Sequence, residues 1–146
     1  VKKYLKKWLR KKMKNKEDSN RIAIALVVDN FNNVLMGQRA DNKLFTVPCG
    51  HIHIGECPFS GVIRELKEET DLDAETIKLV KVEFNKKKNL LLYLFEVQVD
   101  LDQKIEVKND PDHEFIEAAF VDPNMVKDEL TVPLKDNLAV KYWAYN

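Results

Sequence analysis

No uninterrupted apolar run in this chain approaches the ~20 residues that a membrane-spanning helix needs, so a membrane span is not expected. The opening lysines are not followed by the apolar stretch of a secretory signal. The chain begins with Val1 rather than Met, so further natural residues are expected before it. Cysteine is scarce. Only Cys49 and Cys57 occur, and their spacing is not CxxC; two reduced thiols in a cytoplasmic protein are the expectation. Internal repeats are absent, and so is low-complexity sequence beyond the first residues. Net charge is absent too, with 24 Lys and Arg against 24 Asp and Glu. That balance conceals an asymmetry. Residues 1–16 carry nine Lys/Arg and no Asp/Glu, which leaves 15 basic and 24 acidic residues, a net of −9, in the rest.

What is present suits one domain with a real core. Residues 1–16 read as a basic amphipathic helix, with Tyr4, Leu5, Trp8 and Leu9 in a stripe and lysines around it. Two uses stay open. The stripe docks on the acidic remainder or on a second copy, giving a homodimer, or the segment binds nucleic acid or an anionic surface. Residues 17–146 form the domain. Strands are expected at 21–29, 34–39, 45–47, 77–84, 89–99 and 114–121, and a turn at 30–33. A helix is expected from Pro58 to Thr70, with Pro58 at its first position. A short helix at 123–130 and a closing helix carrying Leu134, Leu138 and Tyr142 would follow. This mixture predicts an α/β fold, a mixed sheet covered by helices.

The segment Gly50–Leu72 carries the chemistry. At ~100° per residue, Glu65, Glu68 and Glu69 share one helix face about 100° wide. Ile63, Leu66 and Thr70 share another that can pack on the sheet. Arg64 sits at the edge of the acidic face, where it can pair with Glu56. Three carboxylates so close repel one another, and a hard cation such as Mg²⁺ or Mn²⁺ would relieve them. Such a site suits phosphate chemistry: it neutralises developing charge and orients a water whose proton a free glutamate can take.

The same residues resemble the Nudix box, G-x5-E-x7-R-E-U-x-E-E-x-G-U, where U is a bulky aliphatic residue. Gly50, Glu56, Arg64, Glu65, Leu66, Glu68, Glu69 and Leu72 match it. Phe45-x-x-Pro48 before the box and Glu117-x-x-Phe120 after it resemble the family's layout. The resemblance implies an α/β/α sandwich and hydrolysis of a nucleoside diphosphate linked to another moiety. It implies Glu65 and Glu69 as metal ligands, Glu68 as ligand or helper, and the backbone carbonyl of Cys49 as a further ligand. Arg64 and Glu56 would orient the glutamates. A downstream carboxylate completes such sites, and Asp110, Asp112, Glu114 and Glu117 are the candidates.

Several residues depart from the pattern. Asp71 replaces the final glycine, where Asp tolerates the left-handed backbone at roughly 1 kcal/mol. Cys49 stands where glycine is common, and His53 where Glu is common; His53 either contacts phosphate or faces solvent. His51 reads as a loop residue. Gly61 inside the helix costs about 1 kcal/mol against Ala and would allow close approach of a neighbour.

For the substrate, Lys87, Lys88 and Asn89 occupy the region where some subgroups carry a marker Pro or Tyr. The markers for ADP-ribose and dinucleoside-polyphosphate hydrolases are therefore missing. Arg39 and the Lys86–Lys88 turn could attract polyphosphate. Phe45 or Phe84 could stack on a base or fill the core, and Gly50 lies beside the expected phosphate position. A nucleoside triphosphate or nucleotide sugar is the default, and the basic segment leaves capped RNA open. The competing expectation is a Nudix-fold binding or regulatory module without catalysis.

Overall fold

A computed structural model describes Leu5 and residues 19–146. Apart from Leu5, the basic helix expected over residues 1–16 lies outside the described residues. The elements are β1 (Arg21–Leu26), β2 (Val34–Arg39), β3 (Phe45–Thr46), β4 (Cys49–His51), α1 (Pro58–Thr70), β5 (Ala74–Asn85), β6 (Leu90–Val99), β7 (Phe115–Val121) and α2 (Leu138–Tyr145).

Two sheets form. The first has the order β4-β1-β6-β5 and the second β3-β2-β7. β1 runs parallel to β6 and antiparallel to β4, so the first sheet is mixed. The sheets meet where Leu35 N–H donates to Val27 O and where Val28 bridges Val34.

Strand β1 is buried on both faces, and its period of two divides it between two layers. Ala23 and Ala25, with Val27 beyond the strand, pack with Val62 and Leu66 of α1. Ile24 and Leu26 pack with Leu138, Ala139 and Val140 of α2. β6 repeats the division, with Phe95 and Val97 on the α1 side and Leu94 on the α2 side. The helices therefore cover opposite faces, and the expected α/β/α sandwich is observed.

α1 starts at Pro58 and ends where Asp71 takes the left-handed conformation, φ 63°, its N–H bonded to Lys67 O. The expectation for Asp71 holds. That for Ile63 does not: it is 44% exposed, while Val62, Leu66 and Thr70 are buried. The buried arc centres on Val62, Leu66 and Glu69, which turns Ile63 outward.

Other boundaries differ. β1 stops at Leu26, short of residue 29, and β5 is longer than expected at both ends. β4 has no counterpart among the expected strands, and His51, read as a loop residue, lies in it; three residues are too short for periodicity to mark. The helix expected at 123–130 is a pair of 3₁₀ turns, Pro123–Met125 and Lys127–Glu129. The closing stripe breaks as well. Leu134 lies in its own 3₁₀ turn, and α2 begins only after Asn137 caps it by accepting from Val140 N–H.

Candidate functional site

The box glutamates are positioned by the packing of α1 on β1 and β4. Because Val62 and Leu66 face the sheet, Glu69 on the same arc is carried inward. It is 2% exposed, and its Oε1 accepts the Cys49 N–H at 3.0 Å. Glu65, Glu114 and Asp110 act on it with like charge. Burial, then the charges of Glu65 and Glu114, then a hydrogen bond shared with Glu114, hold its carboxyl well above the usual range. Glu65 is pushed up to about 7, mainly by burial; Arg64 opposes the rise, while Glu68 and Glu114 add to it. The Cys49 thiol is pushed up to about 12 by burial and by Glu69.

One cation stands against this group. Arg64 donates from Nε to Glu56 Oε2 (3.0 Å), from Nη1 to Glu65 Oε1 (2.9 Å) and Glu68 Oε2 (3.2 Å), and from Nη2 to His51 O (2.9 Å) and Glu56 Oε1 (3.1 Å). Those five bonds match the five N–H donors of a guanidinium. Burial works against the charge of Arg64, but Glu56 and Glu65 outweigh it and raise its pKa. Burial likewise pushes Glu56 up, yet Arg64 and the His53 N–H bring it below its ordinary value.

Two glycines make the approach possible. A Cβ on Gly50 would collide with the Glu65 carboxylate. A Cβ on Gly61 would press on Glu56 Oε1 at 3.1 Å and on Ile52 at 3.2 Å, the close approach expected there. Gly50→Ala is therefore expected to fold and to displace Glu65. A displacement near 1 Å costs roughly 10²-fold in turnover. Activity against thermal stability measures it, and a fully active variant would show that the Glu65 position is not critical.

The other expected residues are placed as follows. Glu114 reaches Glu69. Its N–H is held by Asp110 Oδ2 (3.0 Å), and its carbonyl accepts from Ala40 N–H (2.8 Å). Asp110 is 2% exposed, and its other oxygen accepts the Asp112 N–H, so it shapes the loop. Asp112 is exposed, and Glu117 is exposed on β7 in register with Gln38. Arg39 pairs with Asp41 at 2.9 Å and feels the charge of Glu114. Phe45 is half-buried against the α2-side core. His53 gives its backbone N–H to Glu56, and His51 Nδ1 lies 2.6 Å from Ser19 O.

Sequence reasoning missed Arg21 and Ser19. Arg21 Nη2 donates to His53 O (3.3 Å) and Glu56 O (3.2 Å), and Ser19 Oγ donates to Ile52 O. They tie the loop that carries Glu56 to the start of β1. Only the β1–β4 register, Ile22 opposite His51, could have pointed to them.

Among the described residues, no three acidic, imidazole or thiol groups already converge as a cation cage. Arg64 holds Glu65 and Glu68, and Cys49 N–H holds Glu69. The donor set nevertheless fits a hard cation: it is all oxygen, mostly desolvated, and has more carboxylates than Arg64 can neutralise. A pH effect follows in chelator-treated protein. Unfolded Glu65 releases its proton near 4.5 and folded Glu65 near 7. Between those values the unfolded state binds fewer protons, so stability falls as pH rises through the window. Melting curves at about pH 5 and about pH 7 should show a steeper loss in wild type than in Glu65→Gln. Equal slopes would assign the effect elsewhere.

The layers and this acidic helix define a NUDIX-type fold. The NUDIX domain profile matches residues 19–141, and the chain belongs to the NUDIX family. A 68-residue stretch is 38% identical to Nudix hydrolase 5 of Arabidopsis thaliana, spanning 42% of this chain and 22% of that protein. Among solved structures, the C. elegans Ap4A hydrolase in a binary complex is similar with a TM-score of 0.66 and 17% identity, over 85% of this chain and 96% of that one. The NUDIX domain of Shewanella oneidensis NrtR complexed with ADP ribose gives 0.65 and 15%, over 86% and 85%. The MutT protein of Methanosarcina mazei Go1 gives 0.64 and 16%, over 86% and 92%. At these identities the solved structures speak for the fold. Among the described residues, no helix is long and apolar enough to cross a membrane.

Proposed function

We propose that the chain hydrolyses a diphosphate linkage in a nucleoside diphosphate derivative, with Mg²⁺ or Mn²⁺ as cofactor. The observation that carries this reading is the burial of Glu69 beside Glu65 and Glu114, with Arg64 as the cation in contact with the box glutamates. Glu65, Glu69 and the Cys49 carbonyl would hold the metal, with Glu68 and Glu114 completing the oxygen donors. Those oxygens would hold a hard cation that supplies Lewis-acid chemistry there, offsetting negative charge on the phosphate and lowering the pKa of water.

The protein supplies orientation and proton handling. Arg64 and Glu56 fix Glu65 and Glu68, and Arg21 fixes the loop behind Glu56. Glu68, the most open of these carboxylates at 31%, accepts the proton of the water. The water oxygen bonds to phosphorus, the bridging P–O bond breaks, and the leaving phosphate departs with that bonding pair. Arg39, held by Asp41 near Glu114, extends positive charge toward the phosphates. The similar structures named for Ap4A hydrolysis and for an ADP ribose complex favour a nucleotide derivative. Nucleoside triphosphates and nucleotide sugars are the first choices. A cytoplasmic location, a homodimer and an RNA or anionic partner for residues 1–16 belong to the same proposal.

A panel of nucleoside triphosphates, nucleotide sugars, ADP-ribose, dinucleoside polyphosphates and capped RNA tests the reading with Mg²⁺, Mn²⁺ or chelator. Metal-dependent release of phosphorylated products from at least one is expected. No turnover on any would overturn the enzymatic reading and leave the binding module.

A further inference from the structure

β5 is the outer strand of the first sheet, paired to β6 alone among the described residues. It is 12 residues long, and a free edge of that kind offers N–H and C=O groups to another strand. A bulge divides β5 between Leu79 and Lys81. Before it, Ile77 and Leu79 lie opposite Val97 and Phe95, on the α1 side. After it, Val82 lies opposite Tyr93 on that same side, and Phe84 follows opposite Leu91. Lys78, Lys81 and Glu83 lie opposite Glu96, Leu94 and Leu92, on the α2 side, where Val80 also packs.

The α1-side row is uncovered apolar surface. Leu79, Val82 and Phe84 are 37%, 48% and 52% exposed. Lys78 and Glu83 are exposed too. Neither has an ion-pair partner among the described residues.

We infer that this edge joins a second copy of the chain, β5 to β5 and antiparallel, about a two-fold axis between Val80 and Lys81. The bulge sets that centre. Opposite residues of antiparallel strands share a face, and a two-fold axis gives both copies the same pairing. Odd-numbered residues face α1 before the bulge and even-numbered ones after it. A centre between Val80 and Lys81 therefore matches faces across the bulge. It pairs Leu79 with Val82 and Ile77 with Phe84 on the apolar face, and Lys78 with Glu83 on the other. Each pair occurs twice. Centring on Lys78 or on Glu83 would set like charges together instead. Lysines and bulges commonly blunt an edge; here the bulge aligns the two copies and Lys78 meets an opposite charge. The two four-stranded sheets run on as one, with β4 and Cys49 at both outer ends. Each candidate site stays within one copy, so association and turnover separate. This surface deepens the proposed homodimer and rests on that part of the reading, not on hydrolysis.

Sedimentation across concentrations, with turnover per chain beside it, tests the surface. Wild type should associate to twice the mass of the chain. Lys78→Glu and Glu83→Lys each turn two attractive pairs into two repulsive ones, and each should weaken association roughly 10-fold or more. The double variant Lys78→Glu/Glu83→Lys restores opposite charges and should recover wild-type association. Val82→Asp should weaken it as well. These positions are exposed, so wild-type circular dichroism and unchanged turnover per chain are expected throughout. A wild type that stays monomeric, a dimer indifferent to both single reversals, or a double variant that fails to recover would overturn the assignment. So would a dimer lost in Trp8→Ala and kept in Val82→Asp, which would place the contact on the basic segment. Association as expected without turnover on any substrate would keep the surface and refute hydrolysis; turnover by a strict monomer would do the reverse.

Discussion

Glu69→Gln is expected to lower turnover on the order of 10³-fold, within the range for loss of a positioned catalytic carboxylate, while making the chelator-treated protein more stable. The two effects share one cause. In wild type, Glu69 is almost wholly buried among Glu65, Glu114 and Asp110, so its charge is costly without a cation. Gln keeps an oxygen for the Cys49 N–H and gains an amide that can donate to Glu114. It removes the charge a cation would bind. Metal should therefore raise the melting temperature of wild type and leave the variant nearly unchanged. A gain of about 1 kcal/mol corresponds to roughly 2–4 °C. Thermal melts with and without Mg²⁺, beside steady-state rates, measure both halves. A variant retaining most of its turnover would remove Glu69 from the mechanism.

Arg64→Ala is expected to cost about 3 kcal/mol and nearly all activity. Removing one partner of a desolvated ion pair leaves the others uncompensated, at about 3–5 kcal/mol. The lower end applies because Arg64 keeps 21% exposure and Glu68 31%. Arg64→Lys separates charge from geometry. An ammonium has three donors and no planar fork, so it cannot satisfy Glu56, Glu65, Glu68 and His51 O together. Denaturant midpoints should recover partly in Arg64→Lys, and kcat should not. Full recovery of kcat would reduce Arg64 to a neutralising charge.

Much of this arrangement was legible in the sequence. Spacing put Glu65, Glu68 and Glu69 on one face and Arg64 beside Glu56. It did not show which edge of that face turns inward, because a helical wheel gives relative angles only. Hence Ile63 was assigned to the core, and the burial of Glu69 went unread. That Glu114, of the four acidic candidates, lies against Glu69 depends on the loop that Asp110 holds by two backbone N–H groups. β1 announced itself as a buried strand, but its division between two helical layers became visible only with α1 and α2 in place. β4 is three residues long, and its role comes from pairing with β1 rather than from its own composition.

The ends of α1 have a consequence beyond stopping a helix. Pro58 cannot extend the helix backwards through its missing N–H, and Asp71 reverses the backbone just before Leu72 re-enters the core at 2% exposure. The helix is thus a ruler of fixed length. A single residue inserted between those marks would rotate one end by ~100° against the other, moving Glu69 away from Cys49 or Arg64 away from Glu56. Tolerance to insertion should therefore fall abruptly between residues 58 and 71, however hydrophilic the inserted residue.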